Sequence, residues 1–380
     1  MELGQLHEQI ENIDGQIGRL FARRMELSAD IARRKAAEGV LTPDVGMERE
    51  GRARFRQSAG PGLEGYAGVL YSTLVDVSHS YQAAVTNGAS PQTARIAAAL
   101  EITPKLFPES ASVVCQGVEG AYSQIAVEKL FREPSISYVS SFEAVFSAIA
   151  AGLCSYGVLP LENSTAGSVN KIYDLMMQYN FSIVRSARIK IDHNLLARPG
   201  ARLSDIREIF SHEQAINQCA GFLRGYPDVK VTPCANTAMA AKLVAESGRN
   251  DIAALSSRSC AELYGLSVLA SAVQDAGNNH TRFICIGKDL QIFPGADRTS
   301  IMLTTPHRPG SLYRIMARIN ALGINMTKLE SRPLPDRDFE FMFYFDLDTP
   351  VYSPKLVQLM ADLESLCETF RYLGSYSEIV

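Results

Sequence analysis

Short apolar runs alternate with helical stretches between Ser112 and Lys288, and this alternation limits the folds open to the chain more than any other feature. The runs are SVVC, SYGVL, REIF, DIAAL and RFICIG, each too short to be a buried helix. Alternating strands and helices are typical of an α/β domain, in which helices cover a largely parallel sheet. We therefore predict an α/β domain over residues 112–288.

The N-terminal residues follow a different pattern. Apolar residues stand at positions 3, 6, 10, 13, 17 and 20, in alternating steps of three and four. That spacing predicts a long helix with a coiled-coil-like seam, in which Arg24 and Arg34 interrupt the apolar stripe. Gly39 and Pro43 are expected to end the helix. The seam is too long for one protomer to cover, so we expect dimerisation.

The flanking regions complete a multidomain prediction. Helical stretches at about 44–57 and 66–85 predict an all-helical domain over 1–90. Residues 91–111 contain three prolines and predict a linker with one short helix. Residues 298–380 have the order strand, helix, strand, strand, helix, strand, which is the α+β ferredoxin-like split. Modules of this kind commonly pair edge to edge and bind small molecules at the seam.

The composition fits a multidomain globular protein. At 380 residues the chain is too long for one ordinary domain, and 46% of its residues are hydrophobic. A formal net charge of −4 argues against a general nucleic-acid binder. No stretch approaches the ~18 apolar residues of a membrane span, and no signal peptide begins the sequence. We expect a cytoplasmic protein without membrane partners. Seven cysteines without a CxxC pair favour reduced thiols over disulfides or a zinc site.

Polar residues follow four strands of the predicted α/β domain, where helix patterns begin. They are GVEGAYS at 117–123, ENST at 162–165, SHEQ at 211–214 and NT at 236–237. Backbone N–H groups at helix N-termini favour anions, and these junctions gather at the carboxyl ends of the strands. The set predicts a site for a small, multiply anionic metabolite. Each junction alone could be only a helix cap, and Ser211 with Gln214 fits a capping box.

The segment NNHTRF at 278–283, ahead of strand ICIG, adds one more candidate. Thr281 offers a hydroxyl donor, and the neighbouring Arg282 has a guanidinium that is well shaped for carboxylates. An ordinary threonine at a strand edge is the alternative for Thr281.

These motifs resemble those of the bifunctional chorismate mutase–prephenate dehydratases, in the same domain order over nearly the whole chain. GVEGAYS is similar to the family's Gly-x-x-Gly-x-Tyr-Ser motif, PLENSTAGSV to its Pro-x-Glu-Asn motif, SHEQAINQ to its Ser-His-x-Gln segment, and NHTRF to its Thr-Arg-Phe signature. The resemblance implies a two-lobed dehydratase domain, like periplasmic binding proteins, over 112–288. It also implies a C-terminal ACT module over 298–380.

For the α/β domain the resemblance implies the decarboxylative dehydration of prephenate to phenylpyruvate, in phenylalanine biosynthesis. The ring hydroxyl leaves only if it is protonated or strongly hydrogen-bonded as the C–O bond breaks. Thr281 matches the family's essential threonine and would donate that bond, while a bound water or Glu162 supplies the proton. The expected catalytic residues are Thr281, Glu162, Asn163, Ser211 and Gln218. The expected substrate-binding residues are Arg282, Ser123, Ser164, Thr165 and Thr237.

The N-terminal helices resemble the all-helical chorismate mutases, which hold chorismate compactly and stabilise developing charge. The matching positions are His7, Arg24, Lys35, Asp44, Glu48, Ser78 and Gln82. His7 stands where the family has an arginine that reaches into the partner's site, and Met47 replaces the arginine of the Asp-x-x-Arg-Glu pattern. The loss of two cations from a site for a dianion predicts an impaired mutase. Without the resemblance, Arg24 would be a polar seam residue that sets the helix register.

In the last module, PGSL (309–312) and ESRP (330–333) are similar to the family's phenylalanine-sensing motifs. We expect phenylalanine to bind between two modules of a homodimer or homotetramer and to act as a feedback regulator of the enzyme. The expected contacts are Gly310, Ser311, Leu312, Glu330, Ser331 and Arg332. No cofactor or metal is expected. An arogenate dehydratase and a non-catalytic amino-acid sensor are the alternatives.

Overall fold

The computed structural model describes residues 2–39, 45–86, 90–335 and 337–380. The chain divides into two compact units. The first comprises Met1–Ala98, Leu303–Asn325 and Tyr352–Phe370. The second comprises Ala99–Met302, Met326–Val351 and Arg371–Val380. The C-terminal segment therefore contributes its helices to the first unit and most of its strand residues to the second.

The N-terminal region is helical, as predicted. Its helices are α1 (Leu3–Ala37), α2 (Val45–Ser58), α3 (Glu64–Thr86) and α4 (Pro91–Ile102). Helix α1 begins at a capping box formed by Glu2 and Gln5. The apolar residues of its seam are 40–71% exposed in this chain: Leu3, Leu6, Ile10, Ile13, Ile17 and Leu20. An exposed apolar stripe of this length is typical of an interface between helices.

Two sheets make up the α/β region, one in each lobe. The first contains β1 (Ser110–Gln116), β2 (Glu133–Val139), β3 (Tyr156–Asn163), β4 (Gly167–Ser168), β5 (Ser182–Lys190) and β11 (His280–Gly287). The second contains β6 (Asn194–Ala197), β7 (Glu208–Ser211), β8 (Lys230–Pro233), β9 (Ile252–Ser256) and β10 (Ser267–Ala270). The helices of the region are α5 (Tyr122–Leu130), α6 (Phe142–Ala150), α7 (Asn170–Gln178), α8 (Glu213–Gln218), α9 (Ala220–Leu223), α10 (Thr237–Glu246) and α11 (Arg258–Tyr264).

The strand order explains how the lobes are joined. The first sheet runs β5-β11-β3-β1-β2, with β4 beside β3, and the second runs β10-β6-β9-β7-β8. Strand β1 is parallel to β2 and β3, whereas β11 is antiparallel to both of its neighbours. The chain crosses to the second lobe after β5 and returns just before β11. The predicted two-lobed α/β fold is confirmed.

The C-terminal segment has the predicted order of elements. They are β12 (Arg298–Thr304), α12 (Ser311–Ala321), β13 (Asn325–Pro333), β14 (Phe341–Asp348), α13 (Pro354–Leu366), β15 (Thr369–Tyr376) and β16 (Glu378–Ile379). Strands β12 to β15 form a sheet in the order β13-β14-β12-β15. Strand β16 leaves that sheet and pairs in parallel with β5, which adds it to the first sheet.

Strands of the C-terminal segment share a buried core with the first sheet. This core includes Leu159, Ile284, Met302, Tyr344 and Leu373. Gly374 lets strand β15 lie close to strand β5, because a Cβ added at this glycine would lie 2.3 Å from the carbonyl oxygen of Ile183. The sequence predicted a separate module, whereas these strands bury their apolar side chains against the dehydratase-like lobe.

In the first unit, helix α3 also contacts the C-terminal helix α13. Ser80 of α3 donates a hydrogen bond to Asp362, and Arg318 Nε of α12 lies 3.1 Å from the same carboxylate. Burial raises the pKa of Asp362, while Ser80 and Arg318 oppose that shift. The contact uses a polar stripe of α3 that the sequence did not identify.

Candidate active site

Thr281 is the second residue of β11 and pairs with Asn163, the last residue of β3. The Nδ2 group of Asn163 donates to Thr281 Oγ1 at 2.9 Å. Thr281 is 8% exposed, and among the residues that the structure describes its hydroxyl proton has no acceptor. The oxygen therefore accepts a hydrogen bond within the protein, whereas no described residue uses the hydroxyl as a donor.

The stretch PLENSTAGS forms a hairpin rather than a strand-to-helix junction. Strand β3 continues through Asn163, the chain turns, and β4 returns beside it. Asn163 Oδ1 closes the turn by accepting the backbone N–H groups of Thr165 at 3.1 Å and Ala166 at 2.9 Å. Helix α7 starts only at Asn170. The prediction that residues 162–165 stand at a helix N-terminus is wrong.

Gln218, at the end of α8, joins these residues from the second lobe. Its Nε2 donates to Thr165 Oγ1 at 2.8 Å, and Thr165 Oγ1 donates to Asn163 Oδ1 at 2.7 Å. Asn279 Nδ2 donates to Gln218 Oε1 at 2.9 Å, and Asn279 Oδ1 accepts from Asn163 at 2.8 Å. We call Asn163, Thr165, Gln218, Asn279 and Thr281 the Thr281 network. It unites four predicted site residues from separate parts of the sequence.

A cleft of about 440 Å³ opens beside the network. Its lining residues are Thr165, Ala166, His212, Glu213, Gln214, Asn217 and Gln218. The volume lies in the usual range for small-molecule sites. A ligand in this cleft would meet the side chains of Thr165 and Gln218, one from each lobe.

Two residues of the site were missed by the sequence analysis. Asn279 precedes Thr281 by two positions, and strand periodicity would have placed both on one face. His193 lies on the connection between β5 and β6, and its Nε2 is 3.0 Å from Gln218 Oε1. Burial lowers the pKa of His193, although the bond to Gln218 opposes this shift. A lone histidine in a connection carries no sequence pattern that could have identified it.

Glu162 and Arg282 lie on the opposite face of the first sheet from the Thr281 network. Successive side chains of a strand alternate between faces, so Glu162 and Asn163 separate, as do Arg282 and Thr281. Arg282 Nε is 2.8 Å from Glu162 Oε1. The predicted pairing of Thr281 with the acid Glu162 is wrong. The prediction that Arg282 holds a substrate carboxylate is also wrong, because its guanidinium is already ion-paired.

Arg282 is the centre of an ion-pair cluster that we call the Arg282 cluster, formed by Arg282, Glu162, Lys328 and Asp346. Arg282 binds the Asp346 carboxylate of β14, and Lys328 of β13 binds Glu162. Both Arg282 and Asp346 are buried. Burial alone would lower the pKa of Arg282, but nearby acids, Asp346 first, raise it above its usual value. The cluster joins C-terminal strands to the two central strands of the first sheet.

Ser211 is a structural residue rather than a substrate contact. It is the last residue of β7, is fully buried, and donates to the carbonyl oxygen of Leu255 at 2.7 Å. His212 caps α8 instead, since its Nδ1 accepts the N–H of Gln214 at 3.3 Å. The predicted capping box and positioning role of Ser211 are wrong, because β7 extends one residue further than the apolar pattern.

The other predicted substrate contacts are dispersed. Ser164 Oγ donates to the carbonyl of Asn278 at 3.0 Å, which steadies the segment leading into Thr281. Ser123 is buried in the first turn of α5, and Thr237 is the first residue of α10. Within the described part of the chain, neither of these two hydrogen-bonds to the Thr281 network.

Helices α1 and α3 bring together several predicted mutase residues. Arg24 Nη1 donates to the carbonyl of Leu74 at 2.9 Å and to the hydroxyl of Ser78. Four residues further along α1, Ser28 Oγ accepts from Gln82 Nε2 at 2.7 Å. Arg24, Ser78 and Gln82 therefore lie along one contact between these helices.

Glu48 extends this contact to α2. Its Oε1 lies 2.8 Å from Nε2 of His79 on α3, a residue that the sequence analysis did not identify. Met47 beside it is 64% exposed. On α1, His7 is exposed and Lys35 is half-buried. Asp44 lies outside the described residues.

The PGSL segment begins helix α12. Gly310 has φ of +85° and is the N-cap residue, a left-handed conformation that favours glycine. Ser311 and Leu312 form the start of the helix. Backbone geometry therefore accounts for this glycine without a ligand.

The ESRP segment divides between the two faces of β13. Alternation puts Glu330 and Arg332 on one face and Ser331 on the other. Arg332 binds Asp174 at 2.8 and 3.0 Å, and Glu330 accepts a hydrogen bond from Ser168. Two of the three predicted contacts, Glu330 and Arg332, thus bind the α/β region within this chain, and the contact of the three residues with phenylalanine stays a prediction.

Two family models match the chain. The model described as prephenate dehydratase matches residues 113–291, and the one described as chorismate mutase type II matches residues 6–83. The regions do not overlap, and their order is the predicted one. Within the described residues, no helix combines the length and apolar character that a bilayer crossing requires.

Curated relatives agree with these matches. The chain is 35% identical over 276 residues to an arogenate dehydratase/prephenate dehydratase 2 of Arabidopsis thaliana, covering 70% of this chain and 72% of that protein. It is 28% identical over 377 residues to the bifunctional chorismate mutase/prephenate dehydratase of Escherichia coli K12, covering 98% and 95%. The second likeness includes the C-terminal segment.

Solved structures share the fold of the dehydratase-like region. A prephenate dehydratase from Arthrobacter aurescens in complex with L-Phe is 27% identical, with a TM-score of 0.65, and the match covers 70% of this chain and 90% of that one. GqqA, described as a novel type of quorum quenching acylase, is 30% identical with a TM-score of 0.64, covering 70% and 97%. Proteins with different described activities therefore share this fold.

Proposed function

Because the chain belongs to the prephenate dehydratase family and carries a chorismate mutase region ahead of the dehydratase region, we propose that prephenate loses water and carbon dioxide at the Thr281 network. The product is phenylpyruvate, and the chain is an enzyme of phenylalanine biosynthesis. The observation that carries the site assignment is the hydroxyl of Thr281. Its oxygen accepts from Asn163, and within the described residues its proton has no protein acceptor.

The bond changes define what Thr281 contributes. The electron pair of the bond to the ring carboxylate enters the ring and expels the hydroxyl at the opposite ring carbon. Negative charge develops on the departing oxygen, so a hydrogen bond donated there stabilises the transition state. Thr281 donates this bond, and a bound water supplies the proton that turns the leaving group into water. Aromatisation of the ring drives both bond cleavages.

Prephenate also carries two carboxylates that must be held. The guanidinium of Arg282 is engaged on the other sheet face, so neutral donors take this role in the proposal. The Gln218 amide lines the cleft, and its Nε2 group has a second N–H besides the one that it donates to Thr165. Neutral donors and helix N-termini can bind anions without a paired cation.

The test is turnover of prephenate and arogenate by the intact chain, followed as formation of phenylpyruvate or phenylalanine. We expect prephenate to react with the higher kcat/KM. A higher value for arogenate would support the arogenate dehydratase. Binding of prephenate without turnover of either substrate would support the amino-acid sensor and contradict the proposal.

We propose that the mutase region is impaired because Met47 stands where a cation would meet chorismate. Restoring the cation with Met47→Arg should raise kcat/KM for chorismate roughly 10- to 100-fold, since a hydrogen bond to a charged group contributes about 1.5–3 kcal/mol. Met47→Leu is the matched control and should change little. The proposal fails if the unmodified chain already turns over chorismate rapidly, or if arginine has no greater effect than leucine.

We propose that residues 298–380 form an ACT-like regulatory module that responds to phenylalanine. The strand order β13-β14-β12-β15 supports this, since it is that of the ferredoxin-like split. The L-Phe complex of the Arthrobacter relative supports the effector. The exposed apolar stripe of α1 supports a homodimer.

Two measurements on the intact chain test the response to phenylalanine. Calorimetry should detect binding of L-phenylalanine, and an assay of prephenate turnover should show a loss of dehydratase activity when it is bound. D-phenylalanine is the control for both. Equal responses to both enantiomers, or no heat at millimolar L-phenylalanine, would contradict the proposal.

A further inference from the structure

We propose that His193 is a positioning residue for the dehydratase reaction, because it holds the Gln218 amide at the start of a chain of hydrogen bonds that ends at the Thr281 hydroxyl. The inference rests on the proposed function, since it concerns the same site. It adds a residue that neither the motifs nor the family likeness identified.

His193 is held rigidly where the chain first crosses between the lobes. It is 2% exposed. Its backbone N–H donates to Gln274 Oε1 at 2.9 Å, and its carbonyl accepts from the N–H of Val273 at 2.8 Å. The imidazole stands edge-on to the ring of Tyr122, with centroids 6.3 Å apart. The second inter-lobe connection therefore fixes the backbone of His193, and Tyr122 of α5 packs against its ring.

A chain of hydrogen bonds with one direction leads from His193 to Thr281. His193 Nε2 lies 3.0 Å from Gln218 Oε1, and Gln218 Nε2 donates to Thr165 Oγ1 at 2.8 Å. Thr165 Oγ1 donates to Asn163 Oδ1 at 2.7 Å, and Asn163 Nδ2 donates to Thr281 Oγ1 at 2.9 Å. Each group accepts from the preceding one and donates to the next. The remaining proton, that of Thr281, points out of the chain.

The amide of Gln218 determines which nitrogen of His193 carries the proton. Gln218 Oε1 also accepts from Asn279 Nδ2 at 2.9 Å, so the amide oxygen, not its NH2 group, faces His193. An oxygen there requires a proton on His193 Nε2. His193 Nδ1 is then a buried acceptor, and among the described residues it has no hydrogen-bond partner. The structure thus selects one tautomer of the imidazole.

The other tautomer would break the chain at Gln218. With the proton on Nδ1, an acceptor nitrogen would face Gln218 Oε1, and the amide would have to turn over. The NH2 group of Gln218 would then turn away from Thr165. The Thr165 hydroxyl would donate to the amide oxygen of Gln218 and no longer to Asn163 Oδ1. Asn163 Oδ1 would keep the backbone N–H groups of Thr165 and Ala166 but lose the Thr165 hydroxyl. A histidine four hydrogen bonds away thus supports the Asn163 amide that donates to Thr281.

The simpler interpretation is that His193 only fills space beneath the cleft. A double-mutant cycle on the full-length chain distinguishes this interpretation from the positioning role. The readouts are kcat and KM for prephenate. We expect His193→Leu to lower kcat by about 5- to 100-fold, the range for a lost buried hydrogen bond, with KM changed less than kcat. His193→Gln can donate from its own amide and should restore most of the activity. In a Gln218→Leu background, His193→Leu should have no further effect. If the losses in kcat of the two single variants multiply in the double variant, the proposal is overturned.

NMR of the histidine ring nitrogens of the unmodified chain gives a second test that does not depend on variants folding. Protonation of His193 at Nε2 supports the proposal, and protonation at Nδ1 overturns it. Thr281→Val separates this inference from the proposed function. If Thr281→Val is fully active, the proposed function has failed. If Thr281→Val is inactive while the His193 and Gln218 effects multiply, only the role of His193 is wrong.

Discussion

Replacing Thr281 with valine should lower kcat for prephenate by about 100- to 1,000-fold, the loss seen when one transition-state hydrogen-bond donor is removed. Valine has nearly the same shape, so the packing of β11 is kept. Asn163 Nδ2 retains its bonds to Asn279 Oδ1 at 2.8 Å and to the His280 carbonyl at 3.2 Å. Binding should therefore survive, and calorimetry with prephenate on the inactive variant measures it.

Thr281→Ser is the matched control, because it keeps the hydroxyl and removes only a methyl group. We expect serine to retain most of the activity. A valine variant with kcat within three-fold of the unmodified chain would show that the hydroxyl has no part in the reaction. An equal loss in the serine and valine variants would point to packing rather than hydrogen bonding.

Arg282→Met should lower the free energy of unfolding of the second unit by about 3–5 kcal/mol, the usual cost of breaking a buried ion pair by removing one partner. The methionine keeps most of the buried stem but leaves the Asp346 carboxylate without its guanidinium. The Glu162 carboxylate keeps Lys328 as a partner. Urea unfolding followed by circular dichroism measures the change, since the chain contains no tryptophan.

Two comparisons make this result specific to the buried pair. Arg282→Met with Asp346→Leu removes both charges and should be less destabilised than Arg282→Met alone. Arg23 and Glu26 form an ion pair with side chains 67% and 64% exposed, so Arg23→Met should change the free energy of unfolding by less than about 1 kcal/mol. Similar losses in Arg282→Met and Arg23→Met would contradict the assignment of the Arg282 cluster as a structural core.

The fold followed from the sequence where periodicity was strong. The heptad-like spacing of α1 and the short apolar runs of β1, β3 and β9 were enough to place those elements. Periodicity does not show, however, which part of the protein an apolar face packs against. For this reason the sequence predicted a separate C-terminal module and could not predict that Tyr344 and Leu373 are buried against the first sheet.

The candidate site followed from the sequence only in part, and the errors have two causes. Motifs are read along the chain, whereas a strand sends neighbouring side chains to opposite faces. Thr281 and Asn163 were therefore grouped with Arg282 and Glu162, although the same alternation could have separated them. His193 was missed because it enters the site through a crossing between the lobes, which leaves no local pattern, whereas strand alternation could have placed Asn279 beside Thr281.

The position of β16 affects the order in which the enzyme can mature. This strand lies at the C-terminal end of residues 298–380, yet it supplies an edge of the sheet that contains Thr281. A ribosome must finish the C-terminal segment before that sheet can be completed. The first sheet therefore cannot be completed before the C-terminal segment has been made, and a nascent chain cut off before residue 378 would lack this edge strand.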